Sequence, residues 1–77
     1  MKIYCITESS DLEIGLKLAG CEGITIDEDE KIERQIDLVL QNKEIGILVI
    51  SRGIYEKARD RIDSIKLNRK LPLVTII

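Results

Sequence analysis

Histidine, phenylalanine and tryptophan are absent from this 77-residue chain, and only two cysteines and one proline occur. Without histidine, general acid–base catalysis near neutral pH would depend on a carboxyl group or a lysine with a shifted pKa. The cysteines, Cys5 and Cys21, lack the CxxC spacing of zinc sites and do not suggest a disulfide framework. We therefore expect no catalytic residue, no cofactor and no metal.

Long apolar runs are also missing, since none approaches the roughly 20 residues that a membrane-spanning helix requires. The N-terminus lacks the pattern of a signal peptide. These absences favour a single small cytoplasmic domain without direct membrane insertion. Acidic side chains outnumber basic ones in residues 1–51, and the reverse holds in residues 52–77. This imbalance reflects either solvated helix faces or a charge distribution that orients the chain on a charged partner.

Short apolar runs alternate along the chain with segments of helical periodicity. The runs are Ile3–Ile6, Gly23–Ile26, Ile45–Ile50 and Leu71–Ile77. The helical segments are Asp11–Ala19, Glu30–Gln41 and Gly53–Leu67. Strands that alternate with helices predict a parallel sheet, and right-handed crossovers predict the strand order 2-1-3-4. We therefore predict a small three-layer α/β domain with a four-stranded parallel sheet and three crossover helices.

Local signals mark both ends of the first predicted helix. Ser10 is its predicted N-cap, and Glu13 would complete a capping box. Gly20 is predicted to end the helix. Gly15 and Ala19 are four residues apart, so we expect them to let the helix backbone approach the sheet closely.

The predicted helices are too few to cover both faces of the sheet. A helix is about 10 Å wide, and strands lie about 4.8 Å apart, so one helix covers roughly two strands. Only the first helix lies on one face, so the part of that face formed by Ile45–Ile50 and Leu73–Ile77 should stay exposed. Exposed apolar surface of this size marks an interface. We expect a further helix, another protein of an assembly or a second copy of the chain to cover it.

Other small α/β domains compete with the interpretation as an interaction protein. A phospho-receiver needs an acidic residue at the carboxyl end of the third strand, where Ser51 stands. A phosphocysteine carrier of a sugar phosphotransferase system would use Cys5, but Cys5 lies two residues too early for the loop. Glu8 and Asp11 would also repel a phosphate. The carrier and a receiver-like regulatory domain remain the alternatives. Basic and acidic residues are interleaved in the third helix, so we expect no nucleic-acid partner.

The segment GLKLAG, Gly15–Gly20, follows an N-terminal KIYCI strand and resembles a signature of the F subunit of V-type and A-type ATPases. The segments IGILVIS, Ile45–Ser51, and PLVTII, at the end of the chain, resemble the second half of that family in order and spacing. The similarity therefore covers the whole chain. It implies that residues 1–77 form a single flavodoxin-like domain, without the C-terminal helical segment that family members carry.

The same resemblance implies a function. The F subunit is a non-catalytic part of the rotary central stalk and binds the D subunit, which is the coiled-coil component of the stalk. The implied partners are therefore this coiled-coil stalk subunit and other subunits of a rotary ATPase that couples ATP to proton or sodium transport. The implied location is cytoplasmic and peripheral to the membrane-bound complex, and the isolated chain is a possible homo-oligomer.

Candidate partner contacts lie on the first helix, on the last strand and in loops at the carboxyl ends of the strands, where ligands of open α/β sheets bind. These residues are Ser9, Ser10, Lys17, Ser51, Arg52, Ile54, Leu73, Thr75 and Ile77. Lys17 is included because it points away from the apolar stripe of its helix.

Overall fold

Parallel strands form the centre of the computed structural model, which describes residues 1–77. The strands are β1 (Lys2–Thr7), β2 (Glu22–Thr25), β3 (Ile45–Ile50) and β4 (Leu73–Ile76). Their order across the sheet is β2-β1-β3-β4, and every neighbouring pair is parallel. The predicted α/β architecture and strand order are confirmed.

Four α-helices and one 3₁₀ turn connect the strands. They are α1 (Ser10–Leu18), the 3₁₀ turn Asp29–Lys31, α2 (Ile32–Gln41), α3 (Arg52–Lys57) and α4 (Arg59–Asn68). α1 packs on one face of the sheet against β1 and β2, whereas α2, α3 and α4 enclose the core on the other face. None of these helices has the length and hydrophobicity that a bilayer-spanning helix needs.

The start of α1 differs from the predicted capping box. Ser9, not Ser10, is the N-cap, and its Oγ accepts a hydrogen bond from the Leu12 N–H at 3.3 Å. The Glu13 side chain does not return to the cap, because it accepts a hydrogen bond from Thr25 Oγ1 instead. This contact ties α1 to β2 at the edge of the sheet.

A Schellman motif ends α1. Gly20 has a φ angle of 98°, in the left-handed region that glycine occupies without a Cβ penalty. The Cys21 N–H donates to the Leu16 carbonyl, and the Gly20 N–H donates to the Lys17 carbonyl, both at 3.0 Å. The predicted role of Gly20 at the end of this helix is confirmed.

The third predicted helix is two helices, because the chain bends at Ala58. Ala58 has φ −130° and ψ 33°, outside helical values, and separates α3 from α4. The Tyr55 hydroxyl donates to Asp63 Oδ1 at 2.7 Å across the bend, and the Arg59 guanidinium lies 5.0 Å from the centre of the Tyr55 ring. Ile54 and Ile62 on either side of the bend still enter the same core. The apolar period therefore continues through the bend, and the sequence pattern alone does not reveal it.

The hydrophobic core lies on the face that α2, α3 and α4 cover. The sheet contributes Ile6, Leu48 and Ile50, which are all fully buried. Ile36 of α2 and Ile62 of α4 pack in the same cluster and are also fully buried. In contrast, α1 contributes no fully buried residue. The two faces of the sheet are therefore covered to very different extents.

Ion pairs connect the helices of the core face. Arg61 of α4 contacts Glu33 and Asp37 of α2, each at 2.6 Å. Lys57 of α3 contacts Asp29 of the 3₁₀ turn at 2.7 Å. Exposed pairs of this kind each add little stability. They do leave both cations with partners inside the chain.

Candidate docking surface

Parallel register aligns the side chains of β1, β3 and β4 in rows across the sheet. Leu48 and Ile50 point into the core, so the residues that alternate with them point to the α1 side. We call six residues on that side the open face: Ile3, Ile47, Val49, Leu73, Thr75 and Ile77. None of these side chains carries a charge, so the open face is apolar apart from one hydroxyl.

Much of the open face is accessible to solvent. Leu73 is 58% exposed, Ile77 is 47% exposed and Ile3 is 36% exposed. The cause is the position of α1, which packs against β1 and β2 and leaves β3 and β4 without a helix above them. The uncovered apolar surface that the sequence predicts over the third and fourth strands is therefore present in the structure.

One flank of α1 borders the open face. The flank with Glu13 and Lys17 faces β2, because Glu13 is bonded to Thr25 of that strand. At 100° per residue, the opposite flank carries Asp11, Gly15 and Leu18. We call the channel between this flank and the free edge of β4 the groove. Its floor is the part of the open face on β3 and β4.

Gly15 does not bring α1 close to the sheet, contrary to the expectation from its spacing to Ala19. A Cβ placed on Gly15 would have no heavy atom within 4 Å. Ala19 is exposed as well. The half-buried residues Leu12 and Leu16 make the contact with the sheet instead. The space beside Gly15 is therefore open, and Gly15 itself forms part of the wall of the groove.

Two basic side chains without ion-pair partners lie where the end of α2 meets the segment after α4. Lys43 lines two adjoining cavities of about 290 and 180 Å³, and Arg69 lines the smaller one. Neither forms an ion pair within the chain. Glu8, Asp11 and Arg52 lie at the carboxyl end of the sheet and are also unpaired, but they include both signs of charge. No residue of the open face lines either cavity, so Lys43 and Arg69 are not part of the groove.

The predicted contact residues do not all lie on this surface. Leu73, Thr75 and Ile77 belong to the open face, and Ser10, Lys17 and Arg52 are exposed near its ends or on α1. Ser9 is half-buried and occupied as the N-cap of α1.

Ser51 and Ile54 are corrections to the predicted contact set. Their exposed fractions are only 4% and 1%, because α3 folds directly over the end of β3 and turns both residues inward. Neither can touch a partner in this conformation. Lys17 is exposed but already paired with Glu13.

Several residues of the groove were absent from the predicted set. Ile47 could have been found from strand alternation, since it directly precedes the core residue Leu48 and must point to the other face. Leu18 could have been found from helical spacing, and it is 86% exposed.

The chemistry of the buried polar groups does not favour the enzymatic alternatives. Cys5 is 1% exposed beneath α1, and burial raises the pKa of its thiol. A thiol with a raised pKa is protonated at neutral pH and is a poor nucleophile. Ser51 is a buried hydroxyl whose Oγ has no hydrogen-bond partner, at the position where a receiver carries its acidic residue.

Comparisons with known proteins agree with this fold. The model of the family described as ATP synthase (F/14-kDa) subunit matches residues 3–77. The chain belongs to this family. Its structure is similar to the crystal structure of the F subunit of the V-type ATP synthase from Archaeoglobus fulgidus, with a TM-score of 0.75 and 22% identity. That match covers 99% of this chain and 95% of the other. No curated protein matches the chain.

Membership in the ATP synthase F-subunit family confirms the resemblance drawn from GLKLAG. In the structure this segment forms the second half of α1 and its Schellman end. Its first glycine, Gly15, lies in the wall of the groove, and its last, Gly20, adopts the positive φ angle that ends the helix. The two glycines of the signature therefore have different structural roles.

Proposed function

We propose that the chain is a non-catalytic component of the central stalk of a V-type or A-type rotary ATPase. It binds the D subunit, the coiled-coil component of that stalk, and supports ATP-coupled proton or sodium transport without contacting nucleotide. Membership in the ATP synthase F-subunit family supports this role. So does the similarity in fold to the F subunit of a V-type ATP synthase.

The exposed open face is the observation that carries this proposal. Its aliphatic residues are uncharged and lie side by side, and Leu73 and Ile77 are about half exposed. Removing apolar surface from water contributes roughly 25 cal/mol per Å², so a partner that covers this face gains favourable free energy. A contiguous apolar surface of this kind is typical of a protein that works inside an assembly.

The proposed role needs no reactive group in this chain. The loop after β1 and the first turn of α1 hold two acids without ion-pair partners, Glu8 and Asp11, which oppose the binding of nucleotide phosphates. The chain would therefore act through binding alone, as one element of the rotating stalk. Residues 1–77 would act as one flavodoxin-like domain that is peripheral to the membrane-bound complex.

The test is the affinity of the chain for the coiled-coil stalk subunit of the same ATPase. The two proteins are co-expressed, the complex is measured by size-exclusion chromatography with light scattering, and the Kd is measured by calorimetry. Leu73→Lys should raise the Kd at least tenfold, because it places a charge on the open face. Leu38→Lys is the matched control, since Leu38 is 49% exposed but lies on α2 at the opposite face. Failure of the wild-type chain to bind the coiled-coil stalk subunit would contradict the proposed function.

A further inference from the structure

The smaller of the two cavities beside Lys43 reaches into the apolar interior, and we call it the recess. Its volume is about 180 Å³, the share of about six water molecules in the liquid. Val39 at the end of α2 and Ile45 at the start of β3 line it, although they are only 2% and 6% exposed and belong to the core. Leu40 and Pro72 line it as well. An apolar group that enters the recess therefore gains contacts with core side chains and leaves water.

The free polar side-chain groups that line the recess are hydrogen-bond donors. Lys43 and Arg69 form no ion pair within the chain. Asn42 accepts a hydrogen bond from the Glu44 N–H at 3.0 Å through its Oδ1, which leaves its Nδ2 without an acceptor. No acidic side chain lines the recess, and Glu44 of the adjoining cavity is paired with Lys2 at 3.3 Å. The donors with free positive charge therefore lie beside an apolar lining.

Helix ends explain where the two cations stand in the sequence, but not the recess between them. Arg69 is the C-cap of α4, and Lys43 follows the C-cap of α2, where positive charge is favourable. Neither side chain donates a hydrogen bond to a carbonyl of a helix end or to any other group of the chain. Both cationic groups are therefore available to an anion.

The size and the lining of the recess restrict what can bind there. Sites for cofactors and drug-sized ligands measure about 300–1,000 Å³, so the recess is too small for a nucleotide. A bare inorganic anion would leave the apolar lining uncovered. A compact apolar body with one carboxylate satisfies both parts, because arginine binds a carboxylate through two parallel hydrogen bonds.

We propose that the recess binds a carboxylate that is attached to a compact, branched apolar body. The body lies against Val39 and Ile45, the carboxylate is held by Lys43 and Arg69, and Asn42 donates a further hydrogen bond. A free short-chain acid and the C-terminal residue of another protein share this chemistry. The site is separate from the open face and does not depend on the stalk role.

Titration of the isotope-labelled chain with isovalerate, followed by amide NMR, tests this site. Shifts should be confined to the end of α2, the start of β3 and the segment before β4. The Kd should be on the order of 1 mM, as is ordinary for a ligand of about seven heavy atoms. Isovaleramide keeps the apolar body without the charge, acetate keeps the charge without the body, and each should bind at least about tenfold more weakly. Equal affinity of either compound would overturn the proposed recognition.

Substitution of the two cations tests which side chains hold the carboxylate. Lys43→Met and Arg69→Met should each raise the Kd for isovalerate about fivefold, because each removes a charge-assisted hydrogen bond. Lys66→Met and Arg34→Met are the matched controls and should leave the Kd unchanged. Both control residues are exposed, lie on α4 and α2 without ion pairs, and do not line the recess. The amide spectrum verifies that each variant is folded. Wild-type affinity in both recess variants, or equal losses in all four variants, would overturn the proposal.

Two further ligands distinguish the sources of the carboxylate. If N-acetyl-leucine binds and its amide does not, the recess recognises the C-terminal residue of a protein. If isovalerate binds and N-acetyl-leucine does not, the recess recognises a free short-chain acid. Both results support a carboxylate site. If neither acid shifts the amides around the recess at concentrations far above the expected Kd, the proposal is overturned, and the stalk role is unaffected.

Discussion

Leu48 and Leu73 are the same residue type on adjacent strands, but they point to opposite faces of the sheet. Leu48 is fully buried, so Leu48→Ala should lower the free energy of unfolding by about 3 kcal/mol. Leu73 is 58% exposed, which leaves about two-fifths of its surface covered. Complete burial of a leucine side chain is worth about 1.5–3 kcal/mol, so Leu73→Ala should cost only about 0.6–1.2 kcal/mol.

Urea unfolding of the free chain, followed by circular dichroism, measures this difference. The wild-type chain and both variants should share one m-value, because each exposes nearly the same surface on unfolding. Only the midpoint should move, far for Leu48→Ala and little for Leu73→Ala. Equal losses for the two variants would refute the reasoning, since Leu73 would then be packed as fully as a core residue. In the complex with the coiled-coil stalk subunit, the cost of Leu73→Ala should rise as the side chain becomes covered.

Three further predictions concern the thiols, one carboxylate and one cation. Cys5 should react with a maleimide far more slowly than the half-buried Cys21 in the native chain, because burial raises the pKa of the Cys5 thiol; equal rates would contradict its burial. Hydrogen bonds from Lys17 and Thr25 lower the pKa of Glu13 below its ordinary value of 4.5. The ionised carboxylate therefore stabilises the fold fully above pH 4.5, and this contribution is lost as the pH falls through the lowered pKa. The difference in unfolding free energy between wild type and Glu13→Gln should therefore be largest near neutral pH and vanish in acid, and a difference that persists in acid would argue against this ionic contribution. Arg61→Met removes two ion pairs, so it should lower the melting temperature in low salt by an amount that high salt reduces; the same loss at all salt concentrations would point to packing instead.

Periodicity predicted the covered parts of the fold well. The apolar runs predicted all four strands, and the helical periodicity predicted the segments that supply Ile36 and Ile62 to the core. These predictions succeed because burial on one face imposes a spacing that the sequence shows directly. Even the bend at Ala58 leaves this spacing intact. That is why the bend itself was missed.

The candidate site was less predictable, because it depends on the depth and rotation of each element. Ser51 directly follows a strand, where an exposed loop residue was expected, but α3 folds over this position and buries it. Gly15 has the spacing of a helix–sheet contact, but the rotation of α1 turns Gly15 toward the groove. The cavity beside Lys43 and Arg69 arises where the end of α2 meets the segment after α4, and these segments are distant in sequence.

By itself, the sequence determined the order of the elements, their parallel arrangement and the shortage of helices on one face. Apolar spacing, right-handed crossovers and the width of a helix are enough for those conclusions. Only the tertiary structure decided which side chains form the exposed surface: Leu73 and the flank of Gly15 are accessible, whereas Ile54 is not. The reason is physical, since exposure depends on how each helix is rotated and how closely it packs, and contacts between distant parts of the chain set both.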